Sequence, residues 1–270
     1  MPRMINKIVR RLRDYGLWPT VLYSGYASYD AYQSWQLGIT AAMRASRFFI
    51  PHAESRLPGI EYYSHQPTTS YYMFRYVFDH YIIPDHHDVF LDWGSGAGRV
   101  LLMAGATYPF CRMIGVEYDE QLAAFSRQLI QASHHRLRCR TVEVINLDAR
   151  LYEVPADVTV MYFYNPFGPP IMQAVCQNVR ESLIRNPREL RIVCYRPHVF
   201  DASIAGSGWV AKVAELFIPC VSRDSIAVYK TVPERSSRRR IAVTRSRTVF
   251  YPVLRIAGQR CGLRRTMAQS

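Results

Sequence analysis

The chain has 270 residues, 49% of them apolar, and its 34 Lys and Arg against 21 Asp and Glu give a formal net charge of +13. That length and composition predict one large domain with appendages and a substantial core, and no apolar stretch approaches the roughly twenty residues that a membrane-spanning helix requires. Cys111, Cys139, Cys176, Cys194, Cys220 and Cys261 are scattered without a close pair, which excludes a disulfide scaffold or a zinc-ligand spacing and reads as buried thiols in a reducing, cytoplasmic compartment.

Residues 1–58 form a leader rich in Tyr, Trp and Arg. Within it Ile5, Ile8, Val9 and Leu12 recur at helical spacing, with arginines on the other face. This predicts a helix packed on the following domain, with peripheral contact to an anionic membrane surface as the second reading. No apolar signal core or small-residue cleavage site follows the basic N-terminus. Residues 59–87 are dense in tyrosine, and Tyr72, Met73, Tyr76 and Val77 predict a helix ending before Pro84.

From 88 to 165 the pattern alternates strand and helix four times, which predicts a parallel, doubly wound sheet. The first strand, Val89-Phe90-Leu91, ends on an acid, Asp92, and runs into Gly94, Ser95, Gly96 and Gly98. A helical pattern follows at once with Val100, Leu101, Leu102, Ala104 and Ala106. Strand, glycine turn and helix together bring main-chain N–H groups and a helix N-terminus against one ligand. A dinucleotide fingerprint would need glycine at position 99, where Arg99 stands. Asp92 would repel a pyrophosphate and hold an amino group. S-adenosylmethionine, with its ammonium, carboxylate and sulfonium and no phosphate, fits that pattern, and a nicotinamide oxidoreductase does not.

Two more acids stand at strand ends. Met113–Val116 runs into Glu117, at the position that accepts hydrogen bonds from ribose hydroxyls in nucleotide-binding units. Asp119 is a good N-cap for a helix carrying Leu122, Phe125 and Leu129. Val142–Ile145 leads to Asp148, which is placed to accept from an adenine amino group. No metal site is expected, since the adjacent pairs His86-His87 and His134-His135 diverge in either helix or strand.

A fourth strand, Val158–Tyr164, ends in Asn165-Pro166-Phe167-Gly168. Ligands in open α/β sheets sit beyond the carboxyl ends of strands, so Asn165 falls where a methyl group would be presented. Its carbonyl would accept from an amine, Pro166 would stiffen the turn and Phe167 would wall in the acceptor. A helix with Ile171, Val175, Val179 and Leu183, a fifth strand at Ile192–Tyr195 and two closing strands in Trp209–Ile218 and Ser225–Tyr229 complete the pattern. After Glu234 there is no further acid, and the arginines beyond it predict a flexible tail.

The run from Phe90 to Arg99, the Gly115-Val116-Glu117-Tyr118 turn and Asp148-Ala149 resemble the class I S-adenosylmethionine-dependent methyltransferases over residues 60 to 230. With Asn165-Pro166-Phe167-Gly168 they are similar, more narrowly, to the non-SET histone-lysine methyltransferases and their bacterial relatives. The Asn-Pro-Phe run resembles the Asn/Asp-Pro-Pro-aromatic signature of amino-group methyltransferases, with the second proline missing.

The resemblance implies a Rossmann-like, doubly wound, mostly parallel seven-stranded α/β sheet with an N-terminal helical extension. It divides the chain into a leader (1–58), a methyltransferase domain (59–232) and an arginine-rich tail (233–270). It implies that Thr68 contacts the methionine end of the cofactor, and that the acceptor is an amine, either a protein lysine or a small molecule. The charge and the tail leave open a second reading as a nucleic-acid-binding protein or a nucleic-acid methyltransferase.

Overall fold

A computed structural model of the chain describes residues 9, 12–13, 17–37, 69–217, 225–232 and 247–249. The apolar strand runs anticipated from the sequence assemble side by side. They are β1 (Val89–Trp93), β2 (Arg112–Glu117), β3 (Thr141–Asn146), β4 (Val160–Tyr164), β5 (Arg191–Tyr195), β6 (Val210–Phe217), β7 (Ser225–Thr231) and the short β8 (Arg247–Val249). The sheet order is β3-β2-β1-β4-β5-β7-β6-β8. The first five strands pair in parallel, and β7 inserts antiparallel between β5 and β6. This is the expected Rossmann-like, mostly parallel seven-stranded sheet. One short strand from the arginine-rich region is added, parallel to the edge strand β6.

Helices described by the structure are α1 (Leu17–Gln36), α2 (Tyr71–Val77), α3 (Arg99–Thr107), α4 (Glu120–Ser133), α5 (Pro169–Arg185) and α6 (His198–Ile204). The tyrosine-dense helix α2 widens into a π-helical turn, Phe78–Ile82, and stops at Ile83 in a left-handed conformation just ahead of Pro84. Asp119 caps α4 as expected, its side chain accepting from the Leu122 N–H.

The expected fourfold alternation of strand and helix is corrected at one crossover. Between β3 and β4 the chain makes only a 3-10 turn, Ala149–Leu151, capped by Asp148. Pro155 and the short connection leave no length for a helix there. The thiol expectation is corrected at Cys111, which is exposed, whereas Cys139, Cys176 and Cys194 are buried; all four are free.

Alternation along the strands sorts side chains onto two faces. Phe90, Tyr162, Val193 and Tyr195 pack in one cluster with α2, α3 and α4. Leu91, Trp93, Met161, Phe163, Ile192 and Cys194 pack in the other, with α5 and α6. The α2 side is mostly aromatic: Phe74 stacks on Phe78 at 4.1 Å between centroids and meets Tyr162 edge-on at 6.0 Å.

At the amino ends of the strands charges are paired. Asp88 accepts from the Thr159 hydroxyl at 2.7 Å and from the Asp85 N–H at 2.9 Å, and it pairs with Arg191. Arg191 in turn donates to the Ile82 carbonyl at 2.6 Å, tying β5 to the end of the π turn.

The glycine turn lies over β2 so closely that β2 needs a glycine beneath it. A Cβ on Gly115 would stand 2.6 Å from Ser95 Oγ and 2.7 Å from Leu101 Cδ1. Overpacking of this kind costs roughly 1–3 kcal/mol. Gly115→Ala is therefore expected to lower the urea midpoint by a corresponding amount, whereas unchanged stability would show that the turn does not rest on β2.

Candidate functional site

The turn between β1 and α3 is built from glycines that a side chain would break. Gly94, Gly96 and Gly98 have φ of 68°, 54° and 77°, all in the left-handed region. The Gly94 and Ser95 N–H groups both donate to the Val116 carbonyl, at 2.9 and 3.1 Å, which folds the turn back over β2. A Cβ on Gly98 would lie 2.2 Å from Ser126 Oγ, so the start of α3 touches α4 there. Gly96 faces open space instead, with no atom within 4 Å of a notional Cβ.

Glu117 holds this turn in place. One carboxylate oxygen accepts from the Gly96 N–H at 2.7 Å and the other from the Asp119 N–H at 2.9 Å. Burial raises the Glu117 pKa above the ordinary carboxylate range, and those main-chain donors oppose the rise.

Asp92 pairs across the sheet with Gly115 on one side and Tyr162 on the other. It is 3% exposed, and its Oδ2 has no hydrogen-bond partner among the described residues. Burial, and after it the charge of Glu117, pushes its pKa well up. Two buried carboxyl groups on neighbouring strands thus interact with no cation paired to Asp92 among the described residues, which is an incomplete arrangement. A cationic group placed there would supply the missing partner.

The β4 turn closes the other side. Asn165 has φ of 45°, a left-handed conformation that Asn tolerates better than most residues. Its side-chain Oδ1 is buried without a partner among the described residues. Pro166 packs against Gly94, since a Cβ on that glycine would stand 2.6 Å from Pro166 Cβ. Phe167 meets Trp93 edge-on at 6.3 Å and joins the cluster on the opposite face from Asp92. Pro169 then opens α5 at a position where proline suits a helix start.

The structure therefore brings Asp92, Gly94, Ser95, Gly96, Gly98, Glu117, Asn165 and Pro166 to the carboxyl end of the sheet, while Phe167 anchors the turn from behind. Asp148 joins the same rim through main-chain bonds, the Leu147 N–H donating to the Glu117 carbonyl at 3.0 Å. Its carboxylate is held by Arg150, whose Nε lies 3.0 Å from both oxygens, and that pairing lowers its pKa. Thr68 lies outside the described residues.

Several residues at this end were not singled out from the sequence. The buried neighbour of Thr68, Thr69, bonds its hydroxyl to Tyr162 at 2.8 Å. Its carbonyl accepts from Arg99 Nε at 3.2 Å. Tyr195, at the end of β5, lies 5.6 Å from the Tyr162 ring. The register of β1 and β4 places Tyr162 on the side of Phe90 and Asp92, whereas in the sequence an aromatic in a strand reads as core.

The strand order 3-2-1-4-5-7-6, with the seventh strand antiparallel, is that of the class I methyltransferases. No family model and no curated protein matches the chain. Among solved structures, the StiE O-MT covers 59% of this chain and 73% of its own, at 10% identity and a TM-score of 0.47. A precorrin-6y C5,15-methyltransferase from Geobacter metallireducens covers 62% of this chain and 90% of its own, at 13% identity and a TM-score of 0.47. The pyocyanin biosynthetic protein PhzM covers 59% of this chain, at 13% identity and a TM-score of 0.44, and this chain spans 54% of PhzM. At such identities the likeness concerns the fold, not the acceptor.

The Asp92 carboxyl gives a pH signature. Its pKa is raised on folding, so the unliganded protein is most stable while the group stays protonated. Stability is lost as pH rises from the ordinary carboxylate range through the folded value. Asp92→Asn is expected to flatten that part of the profile and to raise stability at neutral pH by roughly 1–3 kcal/mol, the scale of an unsatisfied buried polar group. Thermal melts across pH check this, and a lower melting temperature for the variant at neutral pH would contradict it.

Proposed function

We propose that the chain is an S-adenosylmethionine-dependent methyltransferase acting on an amine. The observation that carries this reading is the unpaired Asp92 oxygen beside Glu117 under a glycine turn. A buried carboxyl with no counter-charge costs stability, and the cost makes sense where a cationic ligand is to be held. Asp92 would take the donor's ammonium, Glu117 the ribose hydroxyls, and the Gly96 edge the adenosine side. Asp148 would meet the adenine amino group at the rim, and Thr68 the methionine end.

Asn165 supports the choice of an amine acceptor. Its orphaned Oδ1 is a hydrogen-bond acceptor held by a turn that packs directly on Gly94. An –NH₂ donating to Oδ1 would have its lone pair turned toward the donor's methyl group. Methyl transfer from a sulfonium is an in-line displacement with an activated leaving group, so alignment and exclusion of water supply most of the catalysis. Pro166 keeps the turn stiff. A protein lysine side chain and a small-molecule amine both meet this description.

A second reading rests on the charge of +13: a nucleic acid as acceptor or partner, held by the arginine-rich tail. Most of that tail lies outside the described residues. The leader's suggested membrane contact rests on residues that also lie largely outside them. Val9 and Leu12, which are described, are exposed. Among the described residues no helix is long and apolar enough to cross a membrane.

Isothermal calorimetry should show the purified protein binding S-adenosylmethionine and S-adenosylhomocysteine. Asp92→Ala is expected to weaken both roughly tenfold or more, as for loss of a charged hydrogen bond. Absence of binding in the wild type would end the reading. Asn165→Ala should leave donor affinity unchanged and lower turnover by roughly tenfold to a hundredfold. Labelled donor incubated with fractionated cell extract then decides whether methyl enters protein, nucleic acid or small molecules.

A further inference from the structure

The neighbouring strands β4 and β5 end in the same three-residue form. Tyr164-Asn165-Pro166 closes β4 and Tyr195-Arg196-Pro197 closes β5, with Tyr164 and Tyr195 partners in the parallel register. In each the middle residue is left-handed, Asn165 with φ of 45° and Arg196 with φ of 55°. Outside glycine, only Ile83 shares that conformation among the described residues. A left-handed backbone is unfavoured in a residue with a side chain, and both turns are held in it by ties to other segments. The Arg196 N–H donates to the Ser225 carbonyl at 2.9 Å, and Pro166 presses on Gly94.

Each strand end also carries one buried polar atom with nothing bound to it. On β4 it is Asn165 Oδ1, and on β5 it is the Tyr195 hydroxyl, neither having a hydrogen-bond partner among the described residues. Tyr195 is 8% exposed and packs on the Asp92 side of the sheet, with Phe90 and Tyr162. Its ring lies 5.6 Å from that of Tyr162 and 5.1 Å from that of Tyr164, which keeps the hydroxyl from swinging out to solvent. The hydroxyl approaches that of Tyr162 without completing a bond, and Tyr162 is already bonded to Thr69 at 2.8 Å. Burial, and after it Tyr164 and the Asp30 carboxylate, pushes the Tyr195 pKa well above the ordinary range. The group thus stays a neutral hydroxyl, with lone pairs to offer and no part as a base. Phenylalanine would fill the same space without an orphaned oxygen, so a hydroxyl kept there calls for a ligand.

Resting on the amine reading above, we infer that Tyr195 is a second hydrogen-bond acceptor for the reacting amine and makes the site selective for a primary amine over its methylated forms. A primary amine has two hydrogens and one lone pair. With one N–H on Asn165 Oδ1 and the other on the Tyr195 oxygen, the lone pair is left for the methyl group. The nitrogen forms the new N–C bond as the C–S bond breaks, that electron pair stays on sulfur, and the ammonium product sheds one proton to water. An amine that already carries methyl groups has fewer hydrogens to give. It would leave a buried oxygen unsatisfied and set a methyl carbon against it, which is how a site built for N–H rejects an analogue lacking it.

The test uses three conjugates of the donor in which nitrogen replaces sulfur and bears an aminoethyl, dimethylaminoethyl or propyl arm in place of the methyl group. The arm then enters the acceptor side, and S-adenosylhomocysteine serves as the reference for the donor side. Calorimetry on the full chain should show the wild type preferring the aminoethyl to the dimethylaminoethyl arm by roughly tenfold or more. Tyr195→Phe should bring that ratio to within about threefold and leave S-adenosylhomocysteine affinity unchanged. It should also raise the melting temperature of the unliganded protein by a few degrees, because it removes a buried hydroxyl with no partner. A purely structural tyrosine would instead give a lower melting temperature and an unaltered ratio. That result, or a wild type without the preference, would overturn the inference alone. A wild type that binds S-adenosylhomocysteine but favours the propyl arm would overturn it together with the amine reading, and one that binds none of the four ligands would take the donor reading as well.

Discussion

Glu117 is the tie on which the site depends. Its carboxylate joins the glycine turn, at Gly96, to the start of α4, at Asp119, and its own main chain receives the end of β3 through Leu147. The glycine turn, the start of α4 and the end of β3 thus converge on one residue at the end of β2. The left-handed glycines let the turn reach it, and Gly115 lets the turn lie flat. Once Glu117 is committed in this way, its negative charge acts on Asp92 in the adjacent strand. Added to burial, which is the larger cause, that charge makes Asp92 hard to ionise without a cation.

The two ends of the sheet manage charge differently. At the amino ends, Asp88 accepts from Thr159 and pairs with Arg191, and Arg112 pairs with Asp157 at 2.9 Å. These pairs neutralise the charges at the bottom of the domain, although Arg191 Nε itself has no hydrogen-bond partner among the described residues. At the carboxyl ends, Asp92 Oδ2, Ser95 Oγ and Asn165 Oδ1 are buried without partners among the described residues. Buried polar atoms without partners are uncommon and call for an explanation. Their grouping around one turn, at the end where α/β sheets bind ligands, is explained by a ligand that satisfies them.

The legible part of this architecture was whatever local rules govern. Apolar runs ending on acids gave the parallel strands, and glycines at every second position marked the turn. Asp119 marked the start of α4. The crossover after β3 departs from the expected alternation because the segment carries Pro155 and too few residues for a helix. Arg99, Thr69 and Tyr162 could not be grouped from the sequence. They lie in a helix start, a loop and a strand, and only the register that sets Tyr162 beside Asp92 brings them together. Phe167 shows the converse: its motif suggested contact with an acceptor, but strand alternation set Trp93 on the far face, and Phe167 packs there.

That anchoring bears on how the turn after β4 works. Asn165 must hold an unfavoured left-handed backbone while offering a buried acceptor atom. A flexible turn would relax, letting Oδ1 reach solvent. Here Pro166 is pressed on Gly94, Phe167 is seated against Trp93, and Gly168-Pro169-Pro170 starts α5 at once. The turn is thus fixed at both ends, to the glycine turn on one side and to the core on the other. Strain of this kind persists only where surroundings over-determine it. The aromatic therefore fixes the turn from behind, and in the proposed reading an acceptor is met from the side of the sheet that carries Asp92, Tyr162 and Tyr195.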